Sequence, residues 1–132
     1  MILLFMIFLI PLQLAGLGKP VHAASAVAFD SKRSVYGYAY NISNEDAAKK
    51  RAVQSCLKRT GRSCRVILSC AREGYGAIFM GRLRDHPISA IGASCGAADS
   101  NEANRRAAQN CRDKLRSVRC DGPVVMWHDT VK

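Results

Sequence analysis

Apolar residues follow different rhythms along this 132-residue chain. Ile2 to Leu17 is almost unbroken apolar sequence; beyond it, apolar positions fall into short runs bounded by turn residues and into stripes at helical spacing. Ala26-Val27-Ala28-Phe29, ended by Asp30-Ser31, reads as a strand and a turn. From Val35 to Tyr40 the tyrosines Tyr36, Tyr38 and Tyr40 recur at period two, so they share one face of a second strand that forms a hairpin with the first. Gly37, in their midst, lets a neighbouring backbone or side chain approach closely. Ser43 or Asn44 can cap the helix that follows, with Glu45 and Asp46 suited to its amino end. Ala48, Ala52 and Cys56 then recur at i, i+4, i+8, a narrow stripe of small residues that lets this helix lie close to a sheet. Gly61 is the expected helix stop, and Cys64 to Cys70 reads as a central strand.

The same order returns. Ala48 to Cys56 is echoed by Ala103 to Cys111, and Val35-Tyr36-Gly37-Tyr38 by Ala90-Ile91-Gly92-Ala93. Tyr75 to Met80 matches the first strand and Ser89 to Cys95 the second. Asp99 and Glu102 have capping-box spacing ahead of a helix carrying Ala103, Ala107, Cys111 and Leu115. After Gly122-Pro123, Val124 to Trp127 reads as a last strand. Each half is thus β-β-α-β, about 26–70 and 75–127. The expected architecture is α+β, with the two units sharing one antiparallel-rich sheet and both helices on one face. The loop from Gly81 to Ile88 is the main asymmetry between the halves.

The initial apolar run is too short for a comfortable membrane span and leads to Pro20-Val21-His22-Ala23, a small-residue cleavage pattern. Residues 1–23 therefore read as a secretory signal peptide, although no Lys or Arg precedes the apolar run. Residues 24–132 form a single domain with no stable membrane span of its own. All six cysteines lie in that part, and an even count in a small exported chain reads as a disulfide framework. Cys56 and Cys64 face each other across a tight helix-to-strand loop, as do Cys111 and Cys120. Pairing them leaves Cys70 with Cys95, a bridge between the halves.

The pattern resembles the exported bacterial family called domain of unknown function 4189. The likeness rests on Ala26 to Phe29, Val35 to Tyr38, Ala48-x3-Ala52-x3-Cys56, Cys64 to Ile67 and Tyr75 to Phe79. It implies export and this fold, and no agreed activity; roles in bacterial competition or host interaction would suit it. The chain departs from the family in two places. Cys70 stands apart from Gly76-Ala77, and Trp127 is followed by His128 where the family often has Trp-x-Cys, so that Cys95 takes the missing partner's role.

Composition narrows the function. No H-E-x-x-H or Gly-rich phosphate loop is present, and a Cys-His nucleophile would need a thiol that the pairing scheme uses up. Cysteine spacings without a C-x-x-C do not suit structural zinc. Neither a catalytic group, a metal nor a cofactor is expected. The formal net charge is +10, which favours anionic partners. Cations cluster at the first helix and its exit (Lys49, Lys50, Lys58, Arg59, Arg62, Arg65) and again from Arg105 through Arg106 and Arg112 to Arg119. Side by side, the helices would merge these into one positive face. The tyrosines are expected away from it, which argues against nucleic acid. The candidate partner-binding residues are Lys49, Lys50, Arg105, Arg106 and Arg112, with Arg82, Arg84 and His86 of the long loop. The expectation is a non-enzymatic, periplasmic or secreted protein that binds an acidic protein, in its sharpest form an immunity protein that blocks an antibacterial toxin. The alternative is a secreted effector that binds a host surface or an anionic membrane.

Overall fold

The computed structural model describes residues 23–83, 88–114 and 119–131. The elements run β1 (Ala24–Asp30), β2 (Val35–Ile42), α1 (Glu45–Lys58), β3 (Arg65–Ala71), β4 (Gly74–Arg82), β5 (Ile88–Ala97), α2 (Ser100–Lys114) and β6 (Arg119–Asp129). The β-β-α-β order expected of each half is present in both. The segment expected to be a signal peptide, residues 1–23, lies outside the described residues, save for Ala23.

The strands do not share one sheet. They form two antiparallel three-stranded sheets, ordered β2-β1-β3 and β5-β4-β6, so β3, expected as a central strand, lies at an edge and β1 takes the centre. The reason lies in the central strands. Every residue of β1 is buried, so both of its faces need cover. Ala24, Ala26 and Ala28 face α1 and pack with Ala48, Ala52 and Cys56. Val27 and Phe29, on the opposite face, pack with Ile78, Ile91, Ala93, Cys95 and Trp127 of the other half. In β4, Ala77 and Phe79 pack with Ala103, Ala107 and Cys111 of α2, while Ile78 joins the core between the sheets. Alternation along each central strand therefore divides its side chains between a helix and the opposing sheet. The layers run α1, first sheet, second sheet, α2, and the helices lie on opposite outer faces rather than together on one. A fully buried Val or Ile contributes about 1.5–3 kcal/mol, so the central layer, with Val27, Ile78 and Ile91, is the main apolar store.

The two halves repeat their helix-to-sheet contacts in detail. A Cβ on Gly37 would collide with the Cys56 nitrogen and Ala52 carbonyl, and one on Gly92 with the Cys111 nitrogen and Ala107 carbonyl. Each glycine thus seats its helix directly on the second strand. Asn41 in β2 and Gly96 in β5 both carry positive φ, 54° and 65°, where the edge strand bulges against its neighbour. Disulfides join Cys56 to Cys64, Cys111 to Cys120 and Cys70 to Cys95, the pairing expected from the spacing. The first two clamp each helix to the strand after it. The third joins β3 to β5 and so ties the sheets together.

Local signals resolve as follows. Asn44 rather than Ser43 caps α1, its side chain accepting from Ala47 N–H at 2.8 Å. Asp99 accepts from Glu102 N–H at 2.8 Å, while the Glu102 carboxylate reaches back to Ala98 N–H at 3.0 Å, a capping box displaced by one residue. Gly61 is not the left-handed residue that ends α1. That residue is Thr60, φ 74°, and the N–H groups of Thr60 and Gly61 close on the carbonyls of Leu57 and Cys56 in the Schellman pattern. Asp129 is the last residue of β6. It is buried in β6, accepting from Trp127 Nε1–H and from Asn41 N–H at 3.0 and 2.7 Å, and His128 beside it stacks on Tyr75.

Candidate functional site

Gly37 fixes the site by holding β2 against α1 at Ala52 and Cys56. The helical row beside that contact carries Arg51, Ser55 and Lys58, and the cap residue Arg59 follows at the helix end. These groups face the outer edge of β2 across a groove of about 610 Å³, lined by Tyr38, Ala39, Tyr40, Ile42, Arg51, Gln54, Ser55, Lys58 and Arg59. Tyr38, Ala39 and Tyr40 point to alternate faces of the strand, so a groove that touches all of them runs along the strand edge. Three cations line it and no carboxylate does.

The aromatic component is a ladder. Tyr36, Tyr38 and Tyr40 stack at centroid spacings of 6.4 Å, and Tyr38 also stacks on Trp127 at 6.2 Å. Tyr36 and Tyr38 pack against the core between the sheets, while Tyr40 is 46 % exposed. The Arg59 guanidinium lies 4.9 Å from the Tyr36 centroid and 5.7 Å from that of Tyr38. Cation and ring hold each other, which fixes a positive charge at the groove rim. The tyrosines are therefore not remote from the basic residues, as their placement on a strand had implied. The chain returns from α1 past the edge of β2 and delivers Arg59 to their rings.

The other candidate cations are scattered. Lys49 and Lys50 flank a shallow depression with Val53, Gln54 and Val66, between α1 and β3. Arg105, Arg106 and Arg112 line a depression on α2 with Gln109 and Asn110. There Arg106 is paired with Glu102 at 2.8 Å, and Arg112 donates to Gln109 Oε1 at 3.1 Å. With the helices on opposite outer layers, the single positive face expected from side-by-side helices does not exist. Arg82 is exposed at the end of β4, opposite Arg119. Arg84 and His86 lie outside the described residues. The sequence reading noted Lys58 and Arg59 but overlooked Arg51; the row 51, 55, 58 flanking the glycine contact is the signal that reveals it.

A buried carboxylate outside the groove lining joins two loops. Asp30 is fully buried and accepts from the N–H groups of Arg62 and Ser63 at 2.9 and 3.0 Å and of Lys32 and Arg33 at 3.0 and 3.2 Å. The Arg62 N–H first, then that of Ser63, holds its carboxyl well below the usual carboxylate range. Asp30 thereby ties the β1–β2 turn to the loop after α1. On the opposite side of the molecule, burial pushes the Lys114 amine down as it donates to Ile91 O at 2.7 Å. All six cysteines are disulfide-bonded, so none supplies a thiol nucleophile. Among the described residues no cluster of His, Cys, Asp and Glu is grouped to hold a metal ion.

Duplicated β-β-α-β units, helix-to-strand disulfides and glycine-seated helices define a small disulfide-stapled α+β domain. The chain belongs to the family described as Domain of unknown function (DUF4189), whose model matches residues 24–127. Neither a curated protein nor a solved structure matches it. Three disulfides suit an oxidising compartment outside the cytoplasm. Among the described residues no helix is long and apolar enough to cross a membrane.

Proposed function

We propose that this is an exported, non-enzymatic binding protein that captures an acidic protein partner in the groove beside β2. The observation that carries the reading is the lining itself: Arg51, Lys58 and Arg59 with Tyr38 and Tyr40, and no carboxylate. Cations in a concave site focus the field and raise the association rate of an acidic partner, while the tyrosines supply rigid contact area. In its sharpest form the partner is an acidic antibacterial toxin, and this protein, in the periplasm, is the immunity protein that occludes it.

The test is capture by the oxidised protein from periplasmic and secreted extracts, at low and at raised salt. A single acidic partner is expected, lost from Arg51→Glu/Lys58→Glu and retained by Arg105→Glu/Arg106→Glu. Equal loss from both variants would mean that net charge alone acts. Diffuse, salt-labile capture of many acidic molecules would overturn the proposal and favour an effector that coats an anionic surface.

A further inference from the structure

The two halves finish their corresponding edge strands differently. β5 and β2 are outer strands at matching places, and each has a helix beside it. At β5 the helix closes the edge: Lys114 Nζ donates to Ile91 O at 2.7 Å and Asn110 Nδ2 donates to Ala93 O at 2.8 Å. Side chains that cap edge carbonyls in this way prevent another strand from adding. The matching positions of α1 are Ser55 and Arg59. Arg59 is turned onto the Tyr36 and Tyr38 rings instead.

Tyr36 and Tyr38 oppose Phe29 and Val27 as Ile91 and Ala93 oppose Met80 and Ile78. Alternation in an antiparallel ladder therefore sends the carbonyls of Tyr36 and Tyr38 off the outer edge, as it does those of Ile91 and Ala93. Among the described residues, no side chain donates to either tyrosine carbonyl. The groove of about 610 Å³ borders this strand from Tyr38 through Ala39 and Tyr40 to Ile42.

We propose that β2 takes an extended acidic segment of the partner protein as a fourth strand of its sheet. The proposal rests on the reading of the groove as the site for an acidic partner, and adds how that partner is held. Backbone groups of the segment would pair with those of Tyr36 and Tyr38. Its carboxylates would meet Arg51, Lys58 and Arg59 along the groove. Strand addition gives affinity through the main chain and specificity through alternate side chains, and the cations here select acidic ones. A second copy of this chain is disfavoured as occupant, because pairing β2 with β2 would bring two carboxylate-free sets of cations together.

The probe is a fluorescein-labelled decapeptide of alternating glutamate and threonine, with two relatives N-methylated on one or the other alternate set of backbone amides. Charge is the same in all three. Anisotropy with the oxidised protein is expected to show binding of the parent and of one methylated relative. The other relative should bind about tenfold or more weakly, from lost backbone hydrogen bonds. Ser55→Asn/Arg59→Lys, which copies the edge-closing pair of α2 onto α1 and keeps the charge, should weaken the parent to a similar extent. Equal binding of all three peptides, or no binding of the parent, overturns strand addition. The acidic-partner reading survives either result if extract capture still depends on Arg51 and Lys58, and falls with it if capture does not. Concentration-dependent dimerisation that Ser55→Asn/Arg59→Lys abolishes would assign the edge to a second copy and overturn the proposal.

Discussion

Two junctions hold the sheets together, and they solve the same problem with different chemistry. Cys70 stands opposite Ser25 in β1, and Trp127 stands at the matching place in the second half, opposite Gly76 in β4. At the first junction Cys70 bonds to Cys95 of β5. At the second, Trp127 stacks on Tyr38 of β2, while Asp129 accepts from the indole and from Asn41 N–H. The residue opposite follows the size of the group. Serine suffices beside a cysteine, whereas a Cβ at Gly76 would collide with the Trp127 ring. Repetition thus fixes the place of each junction and leaves its chemistry free. The aromatic junction also leads to the groove, because Tyr38 is shared by the Trp127 stack, the Arg59 contact and the groove wall.

The comparison breaks most severely at Trp127, which is 5 % exposed. Trp127→Ala should cost about 3–5 kcal/mol in urea unfolding, and it should also loosen Tyr38 and weaken partner capture. Cys70→Ala/Cys95→Ala should cost less, about 3 kcal/mol by the same measurement, by releasing a loop in the unfolded chain. Capture should be unaffected there, since that junction lies away from the groove. If both variants impair capture equally for equal loss of stability, the aromatic junction has no special link to the site.

The smallest effect belongs to Asp30, which sharpens the contrast through pH. Its carboxyl pKa is lower in the folded than in the unfolded chain, so its stabilisation is present above the unfolded value of about 3.9 and is lost as the pH falls towards the folded value. Asp30→Asn should lower Tm by about 5 °C at pH 7. Thermal melts repeated at falling pH should show the gap between wild type and variant closing below about pH 4. A gap that stays constant would mean that shape rather than charge matters at this turn.

Much of the fold was legible in local spacing. The alanine stripes, the tyrosine alternation and the cysteines at helix ends are short-range patterns, and they place α1, α2, β2 and the two clamps correctly. The single shared sheet was misread, although a signal against it was present. Ala24 to Phe29 and Tyr75 to Met80 carry almost no polar alternation, and a strand without it is covered on both faces. The site was harder to see. Arg59 and the tyrosines are far apart in sequence, and only the return of the chain past the edge of β2 brings them together.

By itself the sequence determined the elements, the two helix-to-strand disulfides and the net positive charge, because each depends on residues close in the chain or on composition alone. Tertiary structure decided that there are two sheets, that the helices and their cations lie on opposite faces, and that the β5 edge is closed by Asn110 and Lys114 while the β2 edge borders a basic groove. Those outcomes depend on which buried faces find one another, and burial is settled by the whole chain at once.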